Sequence, residues 1–183
     1  FAELQNMIGK SAWFQDLIVL PAPFGGKDEE LSEAILNAAL FGSSTPVLVT
    51  PGSVEEPIGK RILLAWNGSP ESVRAMRAAM PLLRAADMVE AATIGAPANG
   101  CKGIDPGFAL GVMLSRHGVE ATTAHLPRTA TNVADALQQR ADEIQADMIV
   151  MGAYGHSRFR ERMIGGATRD MLTKADRPVF FAR

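Results

Sequence analysis

Asp147-Met148-Ile149-Val150-Met151 is the stretch that decides the fold, because it has a counterpart in Asp16-Leu17-Ile18-Val19-Leu20, 131 residues earlier. Each is an acidic residue followed by an apolar run without alternation, the pattern of a strand covered on both faces in a parallel sheet. A second pair follows in the same order, Pro46-Val47-Leu48-Val49 and Pro178-Val179-Phe180-Phe181, 132 residues apart. Between the members of each pair lie a loop and a helical stretch. Leu31, Ile35, Ala38 and Ala39 keep helical spacing in the first copy, and Met163, Ala167, Met171 and Leu172 in the second. Two strand pairs in one order at nearly one offset mark an internal repeat.

The second copy reads as complete over 61–183, opening with the strand Ile62-Leu63-Leu64-Ala65-Trp66. Residues 1–51 read as the C-terminal part of a first copy. Residues 52–60, with Gly52, Ser53, Glu55, Glu56 and Pro57, read as a polar, turn-rich linker. At an offset of 131, the first copy's opening strand is expected about seventy residues upstream of Phe1.

Within 61–183 strands and helices alternate. Ser69 is the expected N-cap and Pro70 the first residue of a helix running to about Ala86, with Val73, Met76, Ala79, Met80 and Leu83 on its apolar face. Strands are expected at Met88–Ile94, Val119–Leu126, Asp147–Met151 and Pro178–Ala182. Helices are expected up to His117-Gly118, over Asn132–Gln145 and near 161–175. Strict alternation implies an α/β fold: a doubly wound, Rossmann-like, five-stranded parallel sheet with helices on both faces. The strand-helix-strand of the preceding copy is added to it.

Composition narrows the function. Of 183 residues, 47% are hydrophobic and 21% charged, the balance of an ordinary globular chain. The net charge of −2 lacks the basic surplus that nucleic acid requires, and no apolar run reaches the roughly 18–20 residues of a membrane span. The single cysteine, Cys101, excludes an internal disulfide and suits a reducing, cytoplasmic setting. No secretory leader is read over Phe1–Lys10.

Ligands of doubly wound sheets bind beyond the carboxyl ends of strands where strand order reverses. Two stretches point there: Ala65-Trp66-Asn67-Gly68-Ser69, and Gly152-Ala153-Tyr154-Gly155 followed, after nine residues, by Gly165-Gly166-Ala167-Thr168. Glycines let backbone N–H groups turn toward an anion, and a helix starting near Gly165 adds its own. His156, Arg158, Arg160 and Arg162 lie between, which suits a di- or triphosphate. Isolated glycines more often only end a strand, but the repeat supplies a control. The matching loop of the first copy, Pro21-Ala22-Pro23-Phe24-Gly25-Gly26, leads into Asp28, Glu29, Glu30 and Glu33. Acidic, with prolines that lack N–H groups, it is not expected to bind phosphate.

The spacing Gly-x2-Gly-x9-Gly after Met151 resembles the ATP-binding signature of the universal stress protein family. Ile62-Leu63-Leu64-Ala65-Trp66-Asn67-Gly68-Ser69 and Ala146-Asp147-Met148-Ile149-Val150-Met151-Gly152 are similar to that family's first and fourth strands. The resemblance implies a tandem-domain stress-response regulator that binds an adenine nucleotide in its second domain, ATP with Mg2+ as companion ion. Gly152, Gly155, Gly165, Gly166 and Ala167 would line the phosphates, Met151 the sugar, and Ala65 and Asn67 the adenosine end. The family's ATP-binding members usually carry Ser or Thr where this chain has Gly166, with Thr168 as the nearest substitute, and Asp where it has Asn67. Losing one hydrogen bond to a charged group costs about 1.5–3 kcal/mol, or roughly 10- to 150-fold in affinity. The resemblance also implies pairing through the last strand, with 46–50 against 178–182 inside one chain, or between two copies as a homodimer.

Catalytic candidates are poor. His117 precedes the helix-ending Gly118, and His125 stands near the carboxyl end of its strand, able to reach a ligand. Neither has a nucleophile or metal-spaced partner, so slow ATP hydrolysis is the most that is expected. Methionines 80, 88, 113, 151, 163 and 171 follow core periodicity. The competing class is an interaction or scaffold module that dimerises through Pro178–Ala182 and binds no nucleotide.

Overall fold

In the computed structural model, which describes residues 2–25, 28–52, 58–94, 106–127, 132–153 and 166–183, the apolar runs become strands of one sheet. The elements in chain order are α1 (Ala2–Ala12), β1 (Ile18–Pro21), α2 (Glu29–Gly42), β2 (Val47–Thr50), β3 (Arg61–Ala65), α3 (Pro70–Ala78) and α4 (Met80–Ala85). There follow β4 (Met88–Ile94), α5 (Pro106–Arg116), β5 (Ala121–Leu126), α6 (Val133–Glu143), β6 (Met148–Gly152), α7 (Gly166–Lys174) and β7 (Val179–Ala182). The sheet has seven strands in the order β1-β2-β7-β6-β3-β4-β5. Five strands, β7-β6-β3-β4-β5, run parallel. The β1–β2 pair is also parallel within itself, and β2 joins β7 antiparallel, with Val47 opposite Phe181, Leu48 opposite Phe180 and Val49 opposite Val179. Strands from residues 18–50 and from 61–182 therefore share one continuous sheet, and β7 lies inside it.

Successive strand residues face opposite sides, so each strand feeds two cores. On one face Leu63, Ile149 and Phe181 pack with Leu36 of α2, Leu137 of α6 and Met171 of α7. On the other, Ile62, Leu64, Val150 and Phe180 pack with Met76 of α3, Leu83 of α4 and Leu114 of α5. Fully burying a side chain such as Phe180 or Phe181 contributes about 1.5–3 kcal/mol.

Two local departures from the sequence reading have physical causes. The helix expected to reach Ala86 divides at Ala79, because Pro81 near the start of α4 has no N–H to continue the ladder. The strand expected from Val119 starts at Ala121. Gly118 at φ +76° closes α5, and the N–H groups of Gly118 and Val119 return to the carbonyls of Ser115 and Leu114, which removes Val119 from the sheet. Leu31, read as a core position of α2, is exposed, whereas Ala38 and Ala39 are buried. Helix α1 was not anticipated. It packs on α2 where a Cβ on Gly9 would fall 2.4 Å from the Gly42 carbonyl oxygen, so only glycine permits the approach.

Two polar ties hold distant segments. The Asp147 carboxylate accepts the N–H groups of Gly59 (2.9 Å), Lys60 (2.9 Å) and Arg61 (3.1 Å), while Arg61 Nε and Nη2 donate to the Ile144 carbonyl at 3.0 and 2.7 Å. This latch fixes the lead-in of β3 beside that of β6. On β4, the buried Glu90 takes a two-pronged bond from Arg140 of α6, at 2.7 and 2.8 Å.

Candidate functional site at the strand switch

From β3 the chain winds outward through β4 to β5, then returns across α6 to place β6 on the other side of β3. Strand order thus reverses between β3 and β6. The helices that follow them, α3 and α7, pack on opposite faces of the sheet, and the carboxyl ends of such strands are the position where these sheets hold ligands.

The β3 side is built from Ala65 to Ser69. The Trp66 N–H donates to the Ala92 carbonyl (2.8 Å), which extends the pairing past Ala65. Asn67 is exposed, and its Oδ1 accepts the Ser69 N–H at 3.0 Å across Gly68, which sits at φ +72°. Its carbonyl is committed to the turn, and its amide donors have no partner among the described residues. Ser69 Oγ then accepts the Ser72 N–H at 3.2 Å, and Pro70 starts α3, both as expected from the sequence.

On the β6 side Met151 is buried in the core and Gly152 half-buried. The reason for glycine at 152 is now specific: a Cβ there would fall 2.6 Å from the Glu71 carbonyl carbon and 2.7 Å from the Ser72 nitrogen. Gly152 lets the first turn of α3 rest directly on the end of β6, which carries the free N–H end of α3 to the strand switch. Ala153 is buried, its N–H bound to the Ala182 carbonyl at 2.9 Å.

Gly166 begins α7, exposed, with open space where a Cβ would stand; Ala167 is half-buried. Thr168 is buried, on the same side of α7 as Met171 and Leu172. Gly155, Gly165, Tyr154, His156, Arg158, Arg160, Arg162 and Met163 lie outside the described residues, as does Cys101. Ala65 and Asn67 thus stand at the end of β3 and Met151 and Gly152 at the end of β6, while Gly166 and Ala167 open α7, with Thr168 following.

Two groups here were not singled out from sequence. Trp66 Nε1 and Glu71 Oε2 are buried without hydrogen-bond partners among the described residues. The other oxygen of Glu71 stands 3.6 Å from Arg74 Nη1, too far for a strong bond. The only signal in sequence was an acidic residue in the first helical turn, which reads as dipole compensation. At the outer end of the sheet, His125 Nδ1 on β5 meets Thr93 Oγ1 on β4 at 2.9 Å. His125 is separated from β3 by β4. No cluster of three metal-binding side chains occurs among the described residues, and no helix among them is long and apolar enough to cross a membrane.

Residues 113–183 match the universal stress protein family model. The fold is similar to that of a universal stress protein from Archaeoglobus fulgidus DSM 4304, with a TM-score of 0.75 and 17% identity, over 98% of this chain and 64% of that one. The present chain thus spans less than two thirds of that protein. A universal stress protein from Lactobacillus plantarum matches with a TM-score of 0.52 and 17% identity, over 70% of this chain and 100% of its own. A universal stress protein solved in complex with cAMP matches with a TM-score of 0.51 and 22% identity, over 68% of this chain and 96% of its own. At these identities the likeness establishes the fold. No curated protein matches the sequence.

Proposed function

We propose that this chain, whose residues 113–183 belong to the universal stress protein family, is a stress-response regulator that binds an adenine nucleotide at the β3/β6 strand switch. The observation that carries the reading is the seat of the α3 N-terminus on the end of β6 at the switch, permitted by the missing side chain of Gly152. The relative solved with cAMP supports the ligand class. Ala65 and Asn67 would meet the adenosine end, Met151 the sugar, and Gly152, Gly155, Gly165, Gly166 and Ala167 the phosphates, with Thr168 supporting the first turn of α7. Asn67 offers a donor to the ligand, since its acceptor serves the turn.

ATP is the proposed nucleotide. The chain alone builds no three-ligand metal cluster among its described residues, so Mg2+ would arrive with the phosphates. The unpartnered Glu71 oxygen fits this, because a lone carboxylate disfavours a bare polyphosphate and suits a metal-carrying one. No acid–base pair is assembled among the described residues, so binding rather than turnover is the proposed activity, in the cytoplasm.

The same reading divides the chain into a first-repeat part (1–51), a linker (52–60) and a complete second domain (61–183). Helices α1 and α6 support it, since they end at the shared offset, Ala12 with Glu143. The antiparallel β2–β7 junction supports it too, because it places the two copies back to back across one sheet. With both edges of β7 paired, no edge of that strand is open to a second molecule, which favours pairing within the chain over a homodimer there.

The second reading, an interaction module without nucleotide, draws on the absence of a hydroxyl at Gly166. Heating the purified protein and separating any released adenine nucleotide by chromatography distinguishes the two. A protein that releases none and binds none at millimolar ATP is the interaction module.

A further inference from the structure

His125 has no catalytic partner among the described residues, yet the register of the sheet sets it in a row that leads sideways from the strand switch. The Trp66 N–H bonds the Ala92 carbonyl, one step beyond the pairing of Ala65 with Ala92. Trp66 therefore comes level with Thr93, which pairs with His125 on β5. Side chains alternate along each strand. Leu64, Ala91 and Ala121 belong to the core beneath α3, α4 and α5, so Trp66, Thr93 and His125 stand on that same face, at the carboxyl ends of three neighbouring strands. Strands lie about 4.8 Å apart, which puts His125 roughly 10 Å to the side of β3.

The bonds of Thr93 fix what His125 offers a ligand. Thr93 Oγ1 reaches the Ala124 carbonyl at 3.4 Å, and a carbonyl only accepts, so the hydroxyl proton goes there. The contact of 2.9 Å between Thr93 Oγ1 and His125 Nδ1 must then take its proton from the imidazole. With Nδ1 carrying the proton, the neutral ring keeps Nε2 as an acceptor. Nε2 has no partner among the described residues, and His125 is exposed.

We propose that His125, oriented by Thr93, is the specificity-determining residue that reads the base of the bound nucleotide, its Nε2 accepting the exocyclic amino group of adenine. The inference rests on the nucleotide site proposed above. In that reading the phosphates lie at β6 and α7 and the adenosine end at Ala65 and Asn67, so the base extends past β3 toward β4 and β5, where the row stands. Adenine carries an amino donor where guanine and hypoxanthine carry a carbonyl oxygen. Two acceptors brought face to face repel, so neutral His125 favours adenine. Thr93 is a positioning residue: without its oxygen the ring is free to turn and to take the other tautomer, whose Nε2–H would favour the carbonyl instead.

The test joins two measurements on the 183-residue chain at about pH 8. Imidazole nitrogen shifts, read by NMR without ligand, give the tautomer: a protonated Nδ1 and a bare Nε2 are expected, and Thr93→Val should lose that preference. Calorimetric titration with Mg2+ then compares ATP with inosine triphosphate, which has a carbonyl in place of the amino group. The parent should bind ATP tenfold or more tightly than the inosine nucleotide, and both His125→Phe, which keeps a flat ring at an exposed position, and Thr93→Val should bring that ratio close to one. An Nε2–H tautomer in the free protein, equal affinity of the parent for the two nucleotides, or a ratio indifferent to either substitution overturns the proposal. The amide signals of Gly68 and Gly152, followed as ATP is added, report the strand switch separately. If they shift while the ratio ignores His125→Phe, only the base-reading role falls. If they stay still and no nucleotide binds, the nucleotide site falls and this role with it.

Discussion

Gly152 and Glu71 touch through their backbones: a single added Cβ on Gly152 would overlap the Glu71 carbonyl carbon at 2.6 Å. Flexible side chains cannot relieve such a contact, because the obstacle is the first turn of α3 itself. Gly152→Ala is therefore expected to cost about 1–3 kcal/mol, the range of overpacking in a filled core. Denaturant unfolding measures it, and the same variant should weaken adenine nucleotide, since α3 is pushed off the strand switch. Unchanged stability would mean that α3 is less tightly seated.

The Asp147 latch joins residues far apart in sequence, and its loss leaves three N–H groups without their acceptor. Asp147→Ala should destabilise by about 1–3 kcal/mol. Asp16→Ala in the same chain should stay within about 0.5 kcal/mol of the parent, as for a surface residue without partners. Urea midpoints of the two variants provide the comparison, and equal losses would contradict the asymmetry between the copies.

Glu90 is 6% exposed and depends on Arg140, whose guanidinium its carboxylate holds well above the ordinary arginine range, with help from Glu143. Arg140→Ala leaves a buried carboxylate uncompensated, at a cost of about 3 kcal/mol. Replacing both with apolar residues, Glu90→Leu with Arg140→Met, should recover most of the loss in a double-mutant comparison.

Acid should also weaken the tie between Arg140 and Glu143. The hydrogen bond from Arg140, then that from Gln139, lowers the Glu143 carboxyl below its usual range. A depressed carboxylate stabilises the fold above its unfolded pKa, near 4.3, and the contribution disappears as pH falls through the lower folded value. Melting temperature should therefore fall more steeply below roughly pH 4.3 in the parent than in Glu143→Gln.

How much of this was legible in the sequence differs by element. The β6 and β7 runs were readable because burial on both faces removes polar alternation, and repetition at one offset separated them from chance. The switch-point loops were readable because Asn67, Gly68, Ser69 and Pro70 form a turn and cap by local chemistry alone. Helix α1 was not, since its close seat on α2 depends on Gly9 meeting Gly42, two glycines that look like breakers in sequence. The reason for Gly152 was likewise hidden. Read as an opening for a ligand, it also makes room for a helix, and only the fold brings Glu71 to it. Asp147 looked like strand punctuation until the latch around it gave it a purpose.

Calorimetric titration of ATP with Mg2+ into the 183-residue chain and its Gly166→Ser variant tests the central claim most directly. A Cβ at 166 meets only open space, so the variant adds a hydroxyl at the α7 N-terminus without strain. One nucleotide per chain is expected, bound roughly tenfold or more tightly by the variant, the value of one hydrogen bond to a charged group. No heat at millimolar ATP from folded protein, or equal affinity in the two chains, would contradict a nucleotide site between β3 and β6.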